Sequence, residues 1–303
     1  MIPKISFHYT SRILTRYFTW LPDRLFLELK FRLAMGYKLN LRNPQTFSEK
    51  LQWLKLYDRN PNYTTMVDKV KAKEYVASIL GREHIIPTIG VWDDPDQIDF
   101  EALPDKFVLK CNHNSGLGMY ICKDKSKMDI EEVKAELRKG LKQNYYKYNK
   151  EWPYKNVPRK ILAETFINPS SKTNDLADYK FFCFDGEPKF CQVISGRETG
   201  MQVDFFDKEW NHQPFHEPYD TPFANPMPQR PEHLDLMWNA ARKLAEGKAF
   251  VRIDFYDVNG KVYFGEITFF PTSGFGGFEP KEWDVRFGEY IRLPQKVTRN
   301  INN

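Results

Sequence analysis

The stretch AFVRIDFYDVNGKVYFGEITFFPTSG (249–274) leaves the chain less freedom than any other. Val251, Ile253 and Phe255 alternate with Arg252, Asp254 and Tyr256, the period of two that a half-buried strand requires. Asn259-Gly260 marks a turn and Val262–Phe270 returns, which predicts an antiparallel hairpin. Register decides what the hairpin can do. A two-residue loop sets Asp254 opposite Gly265 and sends Glu266 to the other face. A three-residue loop ending on a left-handed Gly260 sets Arg252 opposite Glu266 and Asp254 opposite Phe264. Asp254 and Glu266 then share a face as diagonal neighbours, roughly 7–8 Å apart at the backbone. The three-residue loop is the reading adopted. Two carboxylates and a guanidinium on one sheet surface suit a magnesium ion carrying phosphates. A solvated strand face explains the hairpin, taken alone, equally well.

The rest of the chain is large enough to build around such a hairpin. Its 303 residues, 41% apolar and 16% aromatic, suffice for one large or two medium domains. A net charge of +5, from 45 basic and 40 acidic residues, does not call for nucleic acid but accepts anionic ligands. No apolar run reaches the roughly 18 residues of a membrane span. The start, MIPKISFHYTSRILTRYFTWLPDRLF, is broken by Arg12, Arg16, Asp23 and Arg24 and does not read as a signal peptide. Cys111, Cys122, Cys183 and Cys191 form no CxxC pair and lie in strand-like segments. They read as small buried hydrophobes in a reducing compartment, so a cytoplasmic location is expected.

Residues 1–60 are rich in Leu, Phe, Tyr and Trp with Arg and Lys between, and read as helical. Thr46-Phe47-Ser48-Glu49 opens a helix with Thr46 or Ser48 as cap. Asp68–Ile79 is a second helix, and Ile85–Val91, with Pro87 inside it, an edge strand or loop. Two strands flank the polar loop Asn112–Gly118, and Ile130–Tyr146 is an amphipathic helix. Lys160–Ile167 is a strand, Asp178–Phe184 and Pro188–Ser195 a hairpin, and Phe205–Trp210 a short strand. A proline-rich excursion at 214–231 precedes a helix over His233–Gly247. Hairpins mixed with helices, rather than regular βαβ units, predict an α+β fold with antiparallel sheets.

Several charged positions invite chemistry. Lys110 ends a strand just before Asn112-His113-Asn114-Ser115-Gly116-Leu117-Gly118, a loop whose amides can wrap phosphate oxygens. It is neither a Walker A loop nor a dinucleotide fingerprint, because no helix follows it, and a plain hairpin connection fits it too. Glu164 sits at a strand end, where an acceptor can hold an amino group or ribose, or simply be solvated. Lys180 and Arg197 are cations in strand patterns, where lysine is depleted. Lys69, Lys71 and Lys73 fit a phosphate-facing or a solvated helix face. His113 and Ser115 lack the acid partner and nucleophile elbow of a hydrolase.

The order of these segments resembles the ATP-grasp superfamily, whose two α+β subdomains clasp ATP between antiparallel sheets. NPQTFSEKLQWLKLYDRNP (43–61), Asp68-Lys69, LPDKFVLKCNHNSG (103–116), ADYKFFCFDGEPKF (177–190) and DFYDVNGKVYFGEITFFPTSGFGGFEPKEW (254–283) narrow the likeness. Together they resemble the teichuronopeptide-biosynthesis-type ATP-grasp family, found among bacterial capsule and surface-polysaccharide genes and sometimes labelled glycosyltransferases. The resemblance covers about residues 20–295. It implies a helical N-terminal region over 1–66 and an ATP-grasp domain over 67–303. Within that domain it implies a small lid subdomain near 104–160 and a larger metal-binding subdomain near 161–295.

Carried over residue by residue, the resemblance implies that Lys69 and Lys110 bind the ATP phosphates. The loop carrying His113, Asn114, Ser115, Gly116 and Gly118 closes over them. Glu164 sits at the adenine–ribose hinge, and Lys180 faces the phosphates. Asp254 and Glu266 ligate Mg2+, and Arg252 lies beside the transferred phosphoryl group. Where many relatives have asparagine, Thr268 follows the metal-binding glutamate by two, which favours one magnesium over two.

The implied activity is ATP-dependent ligation of a carboxylate, such as a sugar uronic acid or glycan, to an amine, an amino acid or amino alcohol, or the reverse, through an acyl phosphate. Arg197 and the loop 271–277 are the candidates for the acceptor end. Phosphate or sugar transfer to a surface glycan is the alternative. Its DxD-type string, DDPD (93–96), reads better as a turn. The first 40 residues, with Phe18, Trp20, Phe26, Leu27 and Leu29 among Arg12, Arg16, Arg24, Lys30 and Arg32, fit an interfacial membrane segment or a subdomain packed on the core.

Overall fold

The computed structural model describes residues 14–168, 176–197, 200–217 and 221–295. Arg12, with the rest of 1–13 of the expected interfacial segment, and residues 218–220 of the proline-rich excursion lie outside the described residues. Residues 14–17 are helical, and among the described residues four further α-helices precede the first strand: α1 (Asp23–Met35), α2 (Phe47–Tyr57), α3 (Asn62–Val67) and α4 (Lys71–Leu80). Thr46 caps α2 as the sequence predicts. Its Oγ1 accepts from the Glu49 amide at 3.1 Å and the Glu49 carboxylate accepts from the Thr46 amide at 3.2 Å. Such a reciprocal cap stabilises a helix by about 1 kcal/mol.

Among the described residues, nine strands form two antiparallel sheets. The smaller, ordered β1-β4-β2-β3, comprises β1 (Thr88–Trp92), β2 (Phe107–Cys111), β3 (Met119–Cys122) and β4 (Ile161–Thr165). It therefore draws one strand from before residue 104 and one from beyond 160. Helix α5 (Ile130–Lys142) covers it, and Val133 and Leu137 join Phe107, Leu109, Ile161 and Ala163 in a separate core. The expected helix over 130–146 breaks at Gln143-Asn144, where Asn144 caps a new short helix, α6 (Tyr145–Asn149).

The larger sheet, ordered β7-β6-β5-β8-β9, comprises β5 (Asp178–Phe184), β6 (Glu187–Ser195), β7 (Gln202–Phe206), β8 (Phe250–Val258) and β9 (Lys261–Thr268). The strand expected over 205–210 lies earlier. Asp207 instead closes a turn, accepting from the amides of Trp210 and Asn211, and Trp210 folds back to stack on Phe206 at 4.2 Å. One sheet face packs on α7 (Leu234–Ala245), with Phe181 edge-on to Trp238. The other face divides in two. Phe182, Phe184 and Phe250 pack against Phe47, Phe278 and Phe287 near α2 and α8 (Glu282–Tyr290). Two residues along the same strands, Lys180 and Arg252 replace phenylalanine and the face becomes polar. The N-terminal helices share this larger core through Phe26, Leu27, Phe31, Leu51 and Val76. Cys111, Cys122, Cys183 and Cys191 are buried free thiols.

Candidate functional site

The polar half of the larger sheet faces the smaller one across a cleft of about 900 Å³. Its walls include Lys69, Lys110, Asn114, Ser115, Gly116, Gly118, Asp178, Lys180, Arg197, Asp254 and Glu266. Residues from six distant segments of the sequence therefore meet in one place.

The hairpin turn differs from the expected one. Asn259 and Gly260 both have positive φ (52° and 76°), the backbone of a two-residue turn. Val258 pairs with Lys261 and Phe255 with Phe264, but Ile253 pairs with Ile267 and Arg252 with Thr268. The extra residue is absorbed by a bulge in which Gly265 and Glu266 together face Asp254. The approach is close, because a Cβ on Gly265 would lie 3.1 Å from the Asp254 carbonyl oxygen, and a side chain there would push the two strands apart by a few tenths of an ångström. The bulge restores Glu266 to the face of Asp254, so the shared face stands through a different route.

Arg252 joins the two carboxylates. Its Nε and Nη2 donate to Asp254 Oδ1 and Oδ2, both at 2.7 Å, and Nη2 also donates to Glu266 Oε1 at 2.9 Å. Thr268 Oγ1 donates to Glu266 Oε1 at 3.1 Å. Lys180, directly opposite Asp254 in register, pairs with its Oδ2, and Arg197 pairs with Asp178. Burial alone would raise the Glu266 pKa, but Lys69, Arg252 and Lys180 outweigh it and bring the carboxyl down to about 2.

From the opposite side, Lys69 reaches in from the turn between α3 and α4. Its ammonium donates to the Asn114 carbonyl at 2.8 Å and stands 3.7 Å from Glu266 Oε2. Lys110 and Lys73 both pair with Glu164, Lys73 at 2.6 Å. Burial would raise the Glu164 pKa, yet the two lysines lower it. Glu164, next to the last residue of β4, is thus buried rather than solvated and does not line the open cleft. It lines a smaller adjoining cavity with Lys73, Tyr154 and Phe264.

The loop after Lys110 is held at its root. Asn112 donates to Asp68 Oδ1 and the Pro158 carbonyl, both at 2.8 Å. Asn114 donates to the Gly140 carbonyl on α5 at 2.8 Å, and Gly118 packs so closely on Gly140 that a Cβ there would sit 2.8 Å from its Cα. His113 does not line the cleft. Its ring is buried against the Gln143 carbonyl (Nε2 at 3.1 Å), and burial brings its pKa down to about 4, so it is neutral and structural. Ser115, Gly116 and Leu117 are left facing the cleft.

Asp178 and Glu217 were not singled out from sequence. Asp178 stands two residues before Lys180, a spacing that puts it on the same face. Glu217 follows the strands, accepts from Gln192 Nε2 at 2.8 Å, and lies in a segment without periodicity. The loop 271–277 encloses a buried polar network. Lys55, fully buried, donates to the Ser273 and Asn149 carbonyls at 2.7 and 3.0 Å, and Ser273 Oγ donates to Glu151 at 2.5 Å. Burial lowers the Lys55 pKa to about 7. Thr272 and Ser273 both hold left-handed φ, 48° and 54°, a strain that this network pins in place.

Two antiparallel sheets closing on a cleft with cations from one side and paired carboxylates from the other define an ATP-grasp protein. A family model described as TupA-like ATPgrasp matches residues 49–292, and the chain belongs to that family. No curated protein matches the chain. Among solved structures, the D-alanine–D-alanine ligase from Helicobacter pylori is 14% identical, with 81% of this chain and 69% of that one covered and a TM-score of 0.44. The D-alanine–D-alanine ligase from Bacillus anthracis complexed with ATP is 16% identical, with 67% and 53% covered and a TM-score of 0.39. The ATP-grasp ligase PsnB, complexed with minimal precursor, Mg and ADP, is 10% identical, with 86% and 65% covered and a TM-score of 0.37. The chain spans between about half and two thirds of these three proteins' length.

Proposed function

We propose that the protein is an ATP-dependent carboxylate–amine ligase that modifies a bacterial surface polysaccharide, joining a carboxylate-bearing sugar or glycan to an amine. The observation that carries the reading is the Arg252 guanidinium, shared between Asp254 and Glu266 on a face that also holds Lys180 and meets Lys69 across the cleft. The polysaccharide setting rests on the resemblance of the motifs to those of surface-polysaccharide genes.

Met119, Ile121, Phe166, Ile167 and Leu176 offer apolar walls for an adenine, and the Ser115–Gly118 amides suit phosphate oxygens. Asp254, Glu266 and the Thr268 hydroxyl fit one hard divalent cation. Among the described residues no group of three or more His, Cys, Asp or Glu gathers around one point, so phosphate and water must supply the other ligands. Magnesium bound there would withdraw charge from the phosphates. A substrate carboxylate oxygen attacks the γ-phosphorus, the bond to the β-phosphate oxygen breaks, and ADP leaves. Arg252 and Lys180 hold charge on the phosphoryl group in flight. The amine nitrogen then attacks the acyl carbon, phosphate departs with the carbon–oxygen electron pair, and the nitrogen loses its proton. Arg197 and the loop 271–277 border the acceptor end.

The reading is tested by assaying ADP and phosphate release over a panel of carboxylates and amines. Phosphate release that needs both substrates supports ligation, and phosphate retained on a glycan overturns it. Asp254→Ala is expected to lower kcat by about 10²–10³-fold, the loss typical of removing one electrostatic element of a transition-state site.

A further inference from the structure

A second cavity, of about 660 Å³, lies away from the cleft between residues 15–30 and the α5–α6 junction. Arg16, Lys30, Lys142 and Lys147 line it with Thr15, Thr19, Gln143, Asn144, Tyr148 and Asn149, and no carboxylate is among these residues. Lys30 is occupied within the protein, donating to Thr15 Oγ1 at 2.6 Å and to Asn149 Oδ1. Arg16, Lys142 and Lys147 are exposed.

Large side chains stand in water on the same segments. Trp20 is 73% exposed, Tyr17 60%, Phe18 41% and Tyr148 41%. This exposure is imposed by the fold. The buried Lys150 ammonium donates to the carbonyls of Thr19 and Leu21 at 2.7 and 3.1 Å, pinning the turn that presents Trp20. Holding a tryptophan outward leaves apolar area in water, which a soluble surface normally avoids. Leu25 and Leu29 continue the pattern as an exposed stripe on α1, while Phe26 and Leu27 are fully buried in the core. The segment therefore does both things the sequence allowed. One side packs on the core, and the other carries aromatic rings beside three exposed cations, Arg16, Lys142 and Lys147.

We propose that this face, residues 15–20 with 142–148, docks on an anionic lipid surface. The cations meet the headgroups, and Trp20, Tyr17 and Phe18 enter the interfacial layer, where amphipathic aromatic rings partition favourably. Charge complementarity selects the anionic surface over a neutral one. The docked face connects to the loop 271–277, since Asn149 Nδ2 donates to Ser273 Oγ at 2.7 Å. Docking thereby sets the orientation of the acceptor end relative to the membrane plane.

The test is co-sedimentation of the full chain with vesicles of phosphatidylcholine alone and of phosphatidylcholine mixed with phosphatidylglycerol. Binding to the mixed vesicles only is expected, and it should vanish near 1 M salt, where the screening length falls to about 3 Å. Lys142→Glu/Lys147→Glu should lower partitioning by at least about 25-fold, at about fivefold per cation removed. Trp20→Ala should also weaken it, and Arg16→Glu provides the same reading should the double variant lose its cooperative thermal melt. Absence of binding to mixed vesicles, undiminished binding by the folded charge-reversed variants, or binding of inorganic phosphate without vesicle binding would each overturn the proposal.

Discussion

Arg252 grips Asp254 with two parallel hydrogen bonds and extends a third to Glu266, a task that needs a planar fork. Lysine keeps the charge but loses the fork. Arg252→Lys should therefore fold normally yet lower kcat by about 100-fold, with the KM for ATP changed less, as steady-state kinetics would show. Glu266 makes a second test, in stability. Its pKa near 2 lies below the ordinary carboxylate value of 4.5, so its contribution is complete above about pH 4.5 and is lost as pH falls through about 2. With a third of the side chain facing solvent, screening leaves that contribution at about 1 kcal/mol. Urea melts should show wild type losing this amount relative to Glu266→Gln between pH 5 and about 2. Equal losses in both proteins would show that the Lys69–Arg252–Lys180 surround does not hold the carboxylate.

At the scale of the element, the bulge at Gly265 is what lets one hairpin carry both carboxylates on one face. A branched side chain there collides with the Asp254 carbonyl. Gly265→Val should destabilise the protein by about 1–3 kcal/mol and weaken nucleotide binding, measured by thermal melts with and without MgATP. Gly260→Ala strains only the turn, where nothing lies within 4 Å, and should cost about 1 kcal/mol with binding retained. The contrast separates turn from bulge. It also marks where sequence reading stops. The alternation of Arg252, Asp254 and Tyr256 was legible, and so was the need for Glu266 to join them. Asn259-Gly260 already carried the two-residue signal. The site of the compensating bulge was not legible, because it depends on a close backbone approach across the sheet. Glu164 was found for its position, but its lysine clamp comes from α4 and β2, brought together only by tertiary packing. His113 was misplaced for the same reason, since the Gln143 carbonyl that captures it sits 30 residues further on, where the expected helix breaks.

For the whole molecule, charge decides how the cleft can be filled. Six cations line it, Lys69, Lys106, Lys110, Lys123, Lys180 and Arg197, with Arg252 bound to its carboxylates, against three carboxylates, Asp178, Asp254 and Glu266. Lys69, Lys180, Arg197 and Arg252 are all paired with these carboxylates, and Lys110 with Glu164. A nucleoside triphosphate, with a charge near −4, competes with these carboxylates for the same cations. To engage Lys69, Lys180 and Arg252 it draws them from their carboxylates, which leaves Asp254 and Glu266 beside phosphate with nothing to offset them. A divalent cation arriving with the nucleotide removes that conflict, because it takes over the two carboxylates as the basic side chains turn to phosphate. Nucleotide binding should therefore depend on magnesium far more steeply than screening alone would require. By titration calorimetry, ATP affinity should fall by at least about 100-fold when magnesium is replaced by chelator, a coupling of about 3 kcal/mol. In Asp254→Asn/Glu266→Gln the metal has no carboxylates to neutralise and the cations are already released. That variant should bind free ATP more tightly than wild type does, and its magnesium dependence should collapse. If wild type binds ATP equally with and without magnesium, the cations are not held by the carboxylates in the way this cleft displays.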